Sequence, residues 1–316
     1  MLALGKKKFT GVSQFLARFR GWIQAGAALL TNLHLPNFLK GRLYQGAGKT
    51  VCVPGLNCYS CPAASGACPI GAFQAVVGSS KFSFSYYITG ILILLGVLLG
   101  RFICGFLCPF GWFQELLHKI PSRKLSTRKL KPLRYLKYAI LLVMVFLLPA
   151  FLVNDVGMGD PFFCKYLCPQ GVLEGAIPLS LANSGIRAAL GSLFTWKLAI
   201  LLVVIVLSVL FYRPFCKWIC PLGAFYALLN KVSLVQMKVD QSKCISCGKC
   251  AKACKMDVDV TKSPNHTECI RCGMCVRACP TNAVRFRCGF GTGKQGTVLP
   301  EKTNKQMNDI VKEKKS

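Results

Sequence analysis

One frame occurs twice in this chain and limits what it can fold into. The segment 101–113 ends a long apolar run and carries Cys104, Cys108, Pro109 and Gly111. It returns 112 residues later at 213–225, with Cys216, Cys220, Pro221 and Gly223. The match continues past the cysteines, where Leu116, Leu117 and Lys119 answer Leu228, Leu229 and Lys231. Two C-x3-C-P loops, each closing an apolar segment, supply four thiolates to one site. A [4Fe–4S] cluster takes four.

The hydrophobic fraction is 53% and the mean hydropathy +0.45, too apolar for an ordinary soluble protein. The chain also carries 40 basic residues against 11 acidic. A basic excess in an apolar chain points to cytoplasmic membrane loops. No basic stripe is interleaved with aromatics on a soluble face, so no nucleic-acid partner is expected. The 19 cysteines fall in C-x2-C and C-x3-C-P groups, spacings that bind metal clusters. Only Cys288 stands clear of every group, and it reads as a spare thiol.

Residues 1–20 carry Lys6, Lys7, Lys8, Arg18 and Arg20. With no small-residue cleavage site after the next apolar run, they read as a cytoplasmic segment ahead of an uncleaved anchor. Four spans are expected, at about 21–39, 86–100, 138–153 and 196–212. Short amphipathic helices at 111–120 and 223–232 are expected at the membrane interface. The basic loop 119–137 belongs in the cytoplasm and the nearly neutral loop 154–195 outside, giving N-in, C-in.

The tetrad Cys-Pro-x-Gly occurs at Cys68, Cys108, Cys168 and Cys220. Each half therefore reads as span, outer cysteine loop, span, inner cysteine loop. A pseudo-two-fold axis along the membrane normal would gather Cys104, Cys108, Cys216 and Cys220 at the cytoplasmic face. It would gather Cys58, Cys61, Cys68, Cys164 and Cys168 at the outer face, with Cys52 nearby. Each proline suits the first helical position. The free N–H groups of that turn can face an anionic cluster. Structural zinc is the alternative for these loops. For the outer set a redox-active disulfide is another, since six thiols exceed one cluster.

The domain at about 238–287 holds C-x2-C-x2-C-x3-C twice, the pattern of bacterial two-cluster ferredoxins. In that pattern the fourth cysteine of each run serves the other cluster. Cys244, Cys247, Cys250 and Cys279 form one ligand set; Cys269, Cys272, Cys275 and Cys254 form the other. Lys255 stands where the first run would often have proline. A basic face is expected from Lys243, Lys249, Lys252, Arg271, Arg277 and Arg285. It is either a solvated or lipid-facing surface or a dock for an acidic electron carrier. Residues 288–316 read as a flexible basic tail.

The fold class expected is an α-helical membrane protein over 21–233, with four spans in two repeated pairs. A small α+β domain with two [4Fe–4S] clusters follows. Paired C-x3-C-P loops ahead of such a domain resemble the polyferredoxin membrane proteins of the NapH, NosR and CcoG type, over about residues 15–285. That resemblance implies that Cys104, Cys108, Cys216 and Cys220 are membrane-proximal ligands and the eight ferredoxin cysteines soluble ones. It also implies quinol oxidation, electron supply to partner reductases or metal-centre maturation. The outer cysteines are extra to the NapH pattern, and no flavin domain of the NosR kind is present.

The function expected is electron transfer in a prokaryotic inner membrane, as a subunit of an oxidoreductase complex with partner redox subunits. Electrons would enter from a reduced ferredoxin or flavodoxin and leave to a membrane or extracytoplasmic acceptor. Two alternatives stand beside it: quinone-linked chemistry at the inner cluster, and an accessory role in metal-centre assembly or redox sensing. Oxygen-labile clusters point to an anaerobic setting. A hydrocarbon core of ~30 Å would be too wide for one tunnelling step between sites on opposite faces. Either the loops sink towards each other or another carrier bridges them.

Overall fold

The computed structural model describes residues 11–79, 85–154 and 158–289. The expected basic start at Lys6, Lys7 and Lys8 and nearly all of the 288–316 tail lie outside them.

Helix α1 is Val12–Thr31. After the first cysteine loop come α2 (Pro69–Gly78), α3 (Tyr86–Leu98), α4 (Phe102–Phe106) and α5 (Pro109–His118). A long helical run, α6 (Leu130–Phe151), leads to the second outer loop and α7 (Gly171–Ala182). Next are α8 (Ser192–Leu210), α9 (Pro214–Trp218) and α10 (Pro221–Leu229). The C-terminal unit contains β1 (Val235–Val239), α11 (Lys249–Ala253), α12 (Met274–Ala278) and β2 (Val284–Cys288).

Three of the four Cys-Pro steps start helices as expected; after Cys168 and Pro169 the helix begins at Gly171. Cys68, Cys108 and Cys220 have extended backbones as N-caps, and the next proline is the first helical residue. Its missing N–H costs nothing there. At Cys220 the free N–H of Gly223 reaches the sulfur at 3.3 Å.

Among the described residues, two helices are long and apolar enough to cross a bilayer. These are α6, with 22 residues, and α8, with 19. Only 28% and 17% of their most apolar windows is buried, so neither is an ordinary core helix. Leu142, Val143 and Phe146 on α6 and Leu202, Val203 and Val206 on α8 are exposed. An apolar surface of that extent suits lipid. Helix α3 has 13 residues, about 20 Å of rise.

The expected first span at 21–39 is displaced. Helix α1 begins at Val12 and ends at Thr31, and its first half packs on the C-terminal unit. Gly273 makes this possible: a Cβ there would lie 2.6 Å from the Ala17 Cβ.

In α5 the buried residues are Pro109, Phe110, Gly111 and Gln114, and Leu116 is left exposed, as an interfacial helix would have it. The second expected amphipathic helix differs. Helix α10 is core, with Pro221, Leu222, Gly223, Ala224, Tyr226 and Ala227 buried. Its small residues let it pack against α3 and α6.

The C-terminal unit is a duplication with a 25-residue shift. Ser246 and Arg271 both have φ 51°, Asp257 and Asn282 φ 55° and 54°, and Gly248 and Gly273 φ 67° and 75°. Left-handed residues beside each C-x2-C turn successive N–H groups towards one point, a nest suited to an anionic cluster. Strands β1 and β2 pair antiparallel from Val235↔Cys288 to Val239↔Val284 and close the unit.

Buried charges dock this unit onto the helices. Lys137 and Arg101 meet Glu268 at 2.5 and 2.8 Å. Lys217 and Arg134 meet Asp257, each at 3.3 Å. Arg134 and Lys137, expected in the 119–137 loop, lie at the start of α6 and grip the C-terminal unit. Such pairs fix orientation more than they add net stability. Arg271, expected on the basic face, is buried and donates to the carbonyls of Leu99 and Asn230. Those carbonyls come from distant segments and take its two terminal nitrogens. The Lys255 carbonyl accepts from Lys217 at 2.7 Å, so the position without proline is used in docking.

Candidate metal centres

Four groups of cysteines assemble. Cys104, Cys108, Cys216 and Cys220 line one cavity, walled by Leu56, Ile103, Phe110, Phe215 and Leu222. The halves of the repeat meet here, with the Phe110 and Phe215 rings edge to face at 5.0 Å. Two arginines cross between halves. Arg101 donates to the Cys216 carbonyl at 3.4 Å, and Arg213 to that of Cys104. Each arginine thus fixes the first cysteine of the other half.

Cys244, Cys247, Cys250 and Cys279 line a second cavity, beside Thr261 and Pro280. Cys247 is exposed and so forms the outward edge. Cys254, Cys269, Cys272 and Cys275 lie within electrostatic reach of one another and form the third group. The duplication reaches the sulfur contacts: Val258 N–H meets Cys254 Sγ at 3.4 Å, and Ala283 N–H meets Cys279 Sγ at 3.3 Å.

The fourth group is Cys58, Cys68, Cys164 and Cys168. Cys164 and Cys168 both feel Cys58 and Cys68 electrostatically. A Cβ at Gly71 would lie 3.7 Å from Cys164 Sγ, and one at Gly171 3.7 Å from Cys58 Sγ. Cys61 packs with Ala63, Ala64 and Cys58, its thiol 3.5 Å from Asn32 Oδ1. Cys52 is bridged through its backbone to Ala67.

A single zinc ion needs ligands at about 2.0–2.3 Å. Among the described residues no three His, Cys, Asp or Glu side chains close on one ion. The first two sets each line a single cavity. Burial pushes the thiols of Cys68 and Cys269 up to about 11 and Cys168 up to about 12. Deprotonating them therefore needs a positive centre to offset the burial.

The groups form one chain of neighbours. A Cβ at Gly55 would lie 2.8 Å from the Cys108 Cα. Cys58 is three steps along the chain from Gly55, at most about 11 Å. The Tyr226 hydroxyl, beside the 104–108 loop, donates to the Pro54 carbonyl at 3.1 Å. On the other side the Ile270 carbonyl, next to Cys269, is the atom nearest a Cβ at Gly105, next to Cys104. Of the two routes expected between the membrane sites, the contact at Gly55 favours loops that sink towards each other. The 52–68 loop sinks into the core and meets the 104–108 loop there.

Two polar residues escaped the sequence reading. Gln74 and Gln114 are fully buried, and each donates to a sulfur: Gln74 to Cys164 and Gln114 to Cys216, both at 3.2 Å. Their signal in the sequence is spacing. Each lies six residues after a Cys-Pro cysteine, Cys68 or Cys108.

Comparison with known proteins agrees with this layout. A family described as "4Fe-4S binding domain" matches at 66–87, 83–128, 137–177 and 193–240. A second family of the same description matches at 237–258 and 263–285. An uncharacterized protein of Methanocaldococcus jannaschii, MJ0750, is 28% identical over 54% of this chain and 66% of its own length. The methylamine utilization ferredoxin-type protein MauN of Methylorubrum extorquens is 26% identical over 60% of this chain and 56% of its own. The ferredoxin-type protein NapH of Haemophilus influenzae is 25% identical, over 56% and 54%. The chain thus spans less than two thirds of the relatives it matches. No solved structure matches it. Four Cys-Pro loops and a duplicated ferredoxin unit, each falling within such a match, identify the chain as a member of the NapH/NosR-type 4Fe–4S polyferredoxins.

Proposed function

We propose that the chain is a transmembrane electron conduit. The supporting observation is proximity: the Cys104 loop meets the Ile270 backbone beside Cys269 on one side and, at Gly55, the loop that carries Cys58 on the other. Cys244, Cys247, Cys250 and Cys279 would hold the entry cluster. Cys254, Cys269, Cys272 and Cys275 would hold the second, Cys104, Cys108, Cys216 and Cys220 the third, and Cys58, Cys68, Cys164 and Cys168 the fourth. A bound [4Fe–4S] cluster supplies one-electron chemistry at each position. Cys61 and Cys52 stay thiols in this reading.

The entry end is argued from charge. Cys247 is exposed and Ile245 is 64% exposed beside it. Lys243, Lys249, Lys252 and Arg277 are exposed in the same unit. An acidic carrier such as a reduced ferredoxin or flavodoxin fits that surface, and charge would steer the encounter. The acceptor lies in the membrane or beyond it, reached from the Cys58 group.

The orientation follows the charges. Arg134 and Lys137 of the basic loop bind the C-terminal unit. A cytoplasmic basic loop then places the ferredoxin unit in the cytoplasm as well. In this arrangement α6 and α8 cross the bilayer, and α1 and α3 enter it with the loops that extend them.

Iron and acid-labile sulfide per chain, on protein purified without oxygen, test the reading. About sixteen irons support four loaded sets. About twelve leave the Cys58 group empty and move the exit to quinone chemistry at the third cluster. About eight sink the conduit.

A further inference from the structure

We propose that Gln74 and Gln114 are tuning residues. Each hydrogen-bonds a ligand sulfur and raises the reduction potential of the cluster held by that set. The inference rests on the cluster occupancy proposed above and deepens it.

Gln114, on α5, reaches across to the other half of the repeat. Its Nε2 donates to Cys216 Sγ at 3.2 Å, and its Oε1 accepts from the Phe215 N–H at 3.2 Å. Gln74, on α2, does the same. Its Nε2 donates to Cys164 Sγ at 3.2 Å, and its Oε1 accepts from the Phe163 N–H at 3.0 Å. Each amide nitrogen also donates to its own helix, at the Phe110 carbonyl (3.4 Å) or the Ile70 carbonyl (3.2 Å). The oxygen is taken by an N–H and the nitrogen by a carbonyl, so the amide can be assigned only one way round. The group facing sulfur is the donor.

The chemistry follows from where the added electron goes. Reduction places more negative charge on the cluster sulfurs. A fixed N–H donor stabilises that form more than the oxidised one. Both glutamines have no solvent exposure, so water cannot replace the lost bond. A low local dielectric enlarges the effect.

The remaining two Cys-Pro helices show that packing alone does not demand this bond. Six residues after Cys168 stands Glu174, whose Oε2 accepts from the Cys58 N–H at 3.0 Å. Six residues after Cys220 stands Tyr226, which donates to the Pro54 carbonyl. Both serve backbone, not sulfur. Each of the two membrane sets therefore carries one such glutamine, and matched donors hold the two potentials close together.

The test is an EPR-monitored redox titration of the full chain in detergent, without oxygen. Gln114→Leu is expected to lower the midpoint of the Cys216 cluster alone. The expected size is about tenfold in its reduction equilibrium, ~59 mV for one electron. Gln74→Leu is expected to lower the Cys164 cluster alone by a similar factor. Gln114→Glu and Gln74→Glu are the second pair. They keep the oxygen that accepts the backbone N–H; the protonated carboxyl can still donate an O–H, and ionisation removes the donor, so the midpoint falls as pH rises through that ionisation. These variants decide if leucine empties a site. Loaded clusters with unmoved midpoints would overturn the role of the glutamines alone. Loss of the cluster in every variant would make them structural and overturn it too. About eight irons in the wild type would overturn the occupancy, and this inference with it.

Discussion

Gly55 and Cys108 meet backbone to backbone. A Cβ on residue 55 would lie 2.8 Å from the Cys108 Cα and 3.1 Å from the Leu107 carbonyl oxygen. Neither neighbour is a flexible side-chain end, so nothing cheap can give way. This contact joins the 52–68 loop to the 104–108 loop and brings two cysteine groups into one core.

Gly55→Val is therefore expected to strain both groups while sparing the ferredoxin unit. Overpacking of this kind costs about 1–3 kcal/mol. The iron content should fall by about eight per chain while the two ferredoxin clusters remain. A variant that keeps all its iron would show that the loops are not rigidly joined.

The ligand groups are separable by single substitutions. Cys216→Ser is expected to remove or convert only the cluster at Cys104, Cys108 and Cys220. Cys279→Ser should instead damage the cluster at Cys244, Cys247 and Cys250, because its run crosses over. EPR of the reduced protein distinguishes them. If both variants lost the same signal, the assignment of ligands would be wrong.

These sets were readable in the sequence to different depths. The ferredoxin groups are local: C-x2-C-x2-C-x3-C fixes eight positions, and the second cavity is lined as that pattern requires. The repeated frame around Cys104 and Cys216 also predicted a shared site. Its arginines were visible in the frame, but their exchange between halves depends on three-dimensional pairing. Cys58 is harder to read. Cys68 has Ala64 four residues before it, where the frame would place a cysteine. In the proposed set that position is taken by Cys58, ten residues before Cys68, and no spacing rule says which of Cys52, Cys58 and Cys61 joins the group. Arg271 looked like a surface charge because its acceptors, the Leu99 and Asn230 carbonyls, are remote in sequence. The depth of the 52–68 loop was hidden for the same reason, since hydropathy counts apolar residues and not backbone contacts.

The contact of Gly105 with Ile270 holds the ferredoxin unit against the Cys104 loop. Gly105→Ala places a methyl group on the Ile270 carbonyl oxygen, a backbone atom that can move only with its unit. The expected outcome is an intact set of ferredoxin EPR signals with slower reduction of the Cys104 cluster. Rapid-mixing reduction followed by freeze-quench EPR measures it. An unchanged rate would show that electrons reach the Cys104 group by another route.

Glu115 supports the same region through charge. Its carboxylate pairs with Arg213 at 2.9 Å and with Arg20, and Arg213 is fully buried. Burial would raise the carboxyl pKa, but Arg213 and Arg20 overcome it and hold it below the ordinary 4.5. A depressed folded-state value means that the proton binds the unfolded chain more readily. The stabilisation is complete above pH 4.5 and is lost as pH falls through the folded-state value. Glu115→Gln leaves the buried Arg213 without its anion, at a cost of about 3–5 kcal/mol. Thermal unfolding in detergent should therefore show the wild type well above the variant at pH 7. The gap should narrow as the pH drops below 4.5. A gap that stayed constant into that range, or no gap at neutral pH, would mean that Arg213 is held by its bond to the Cys104 carbonyl and not by Glu115.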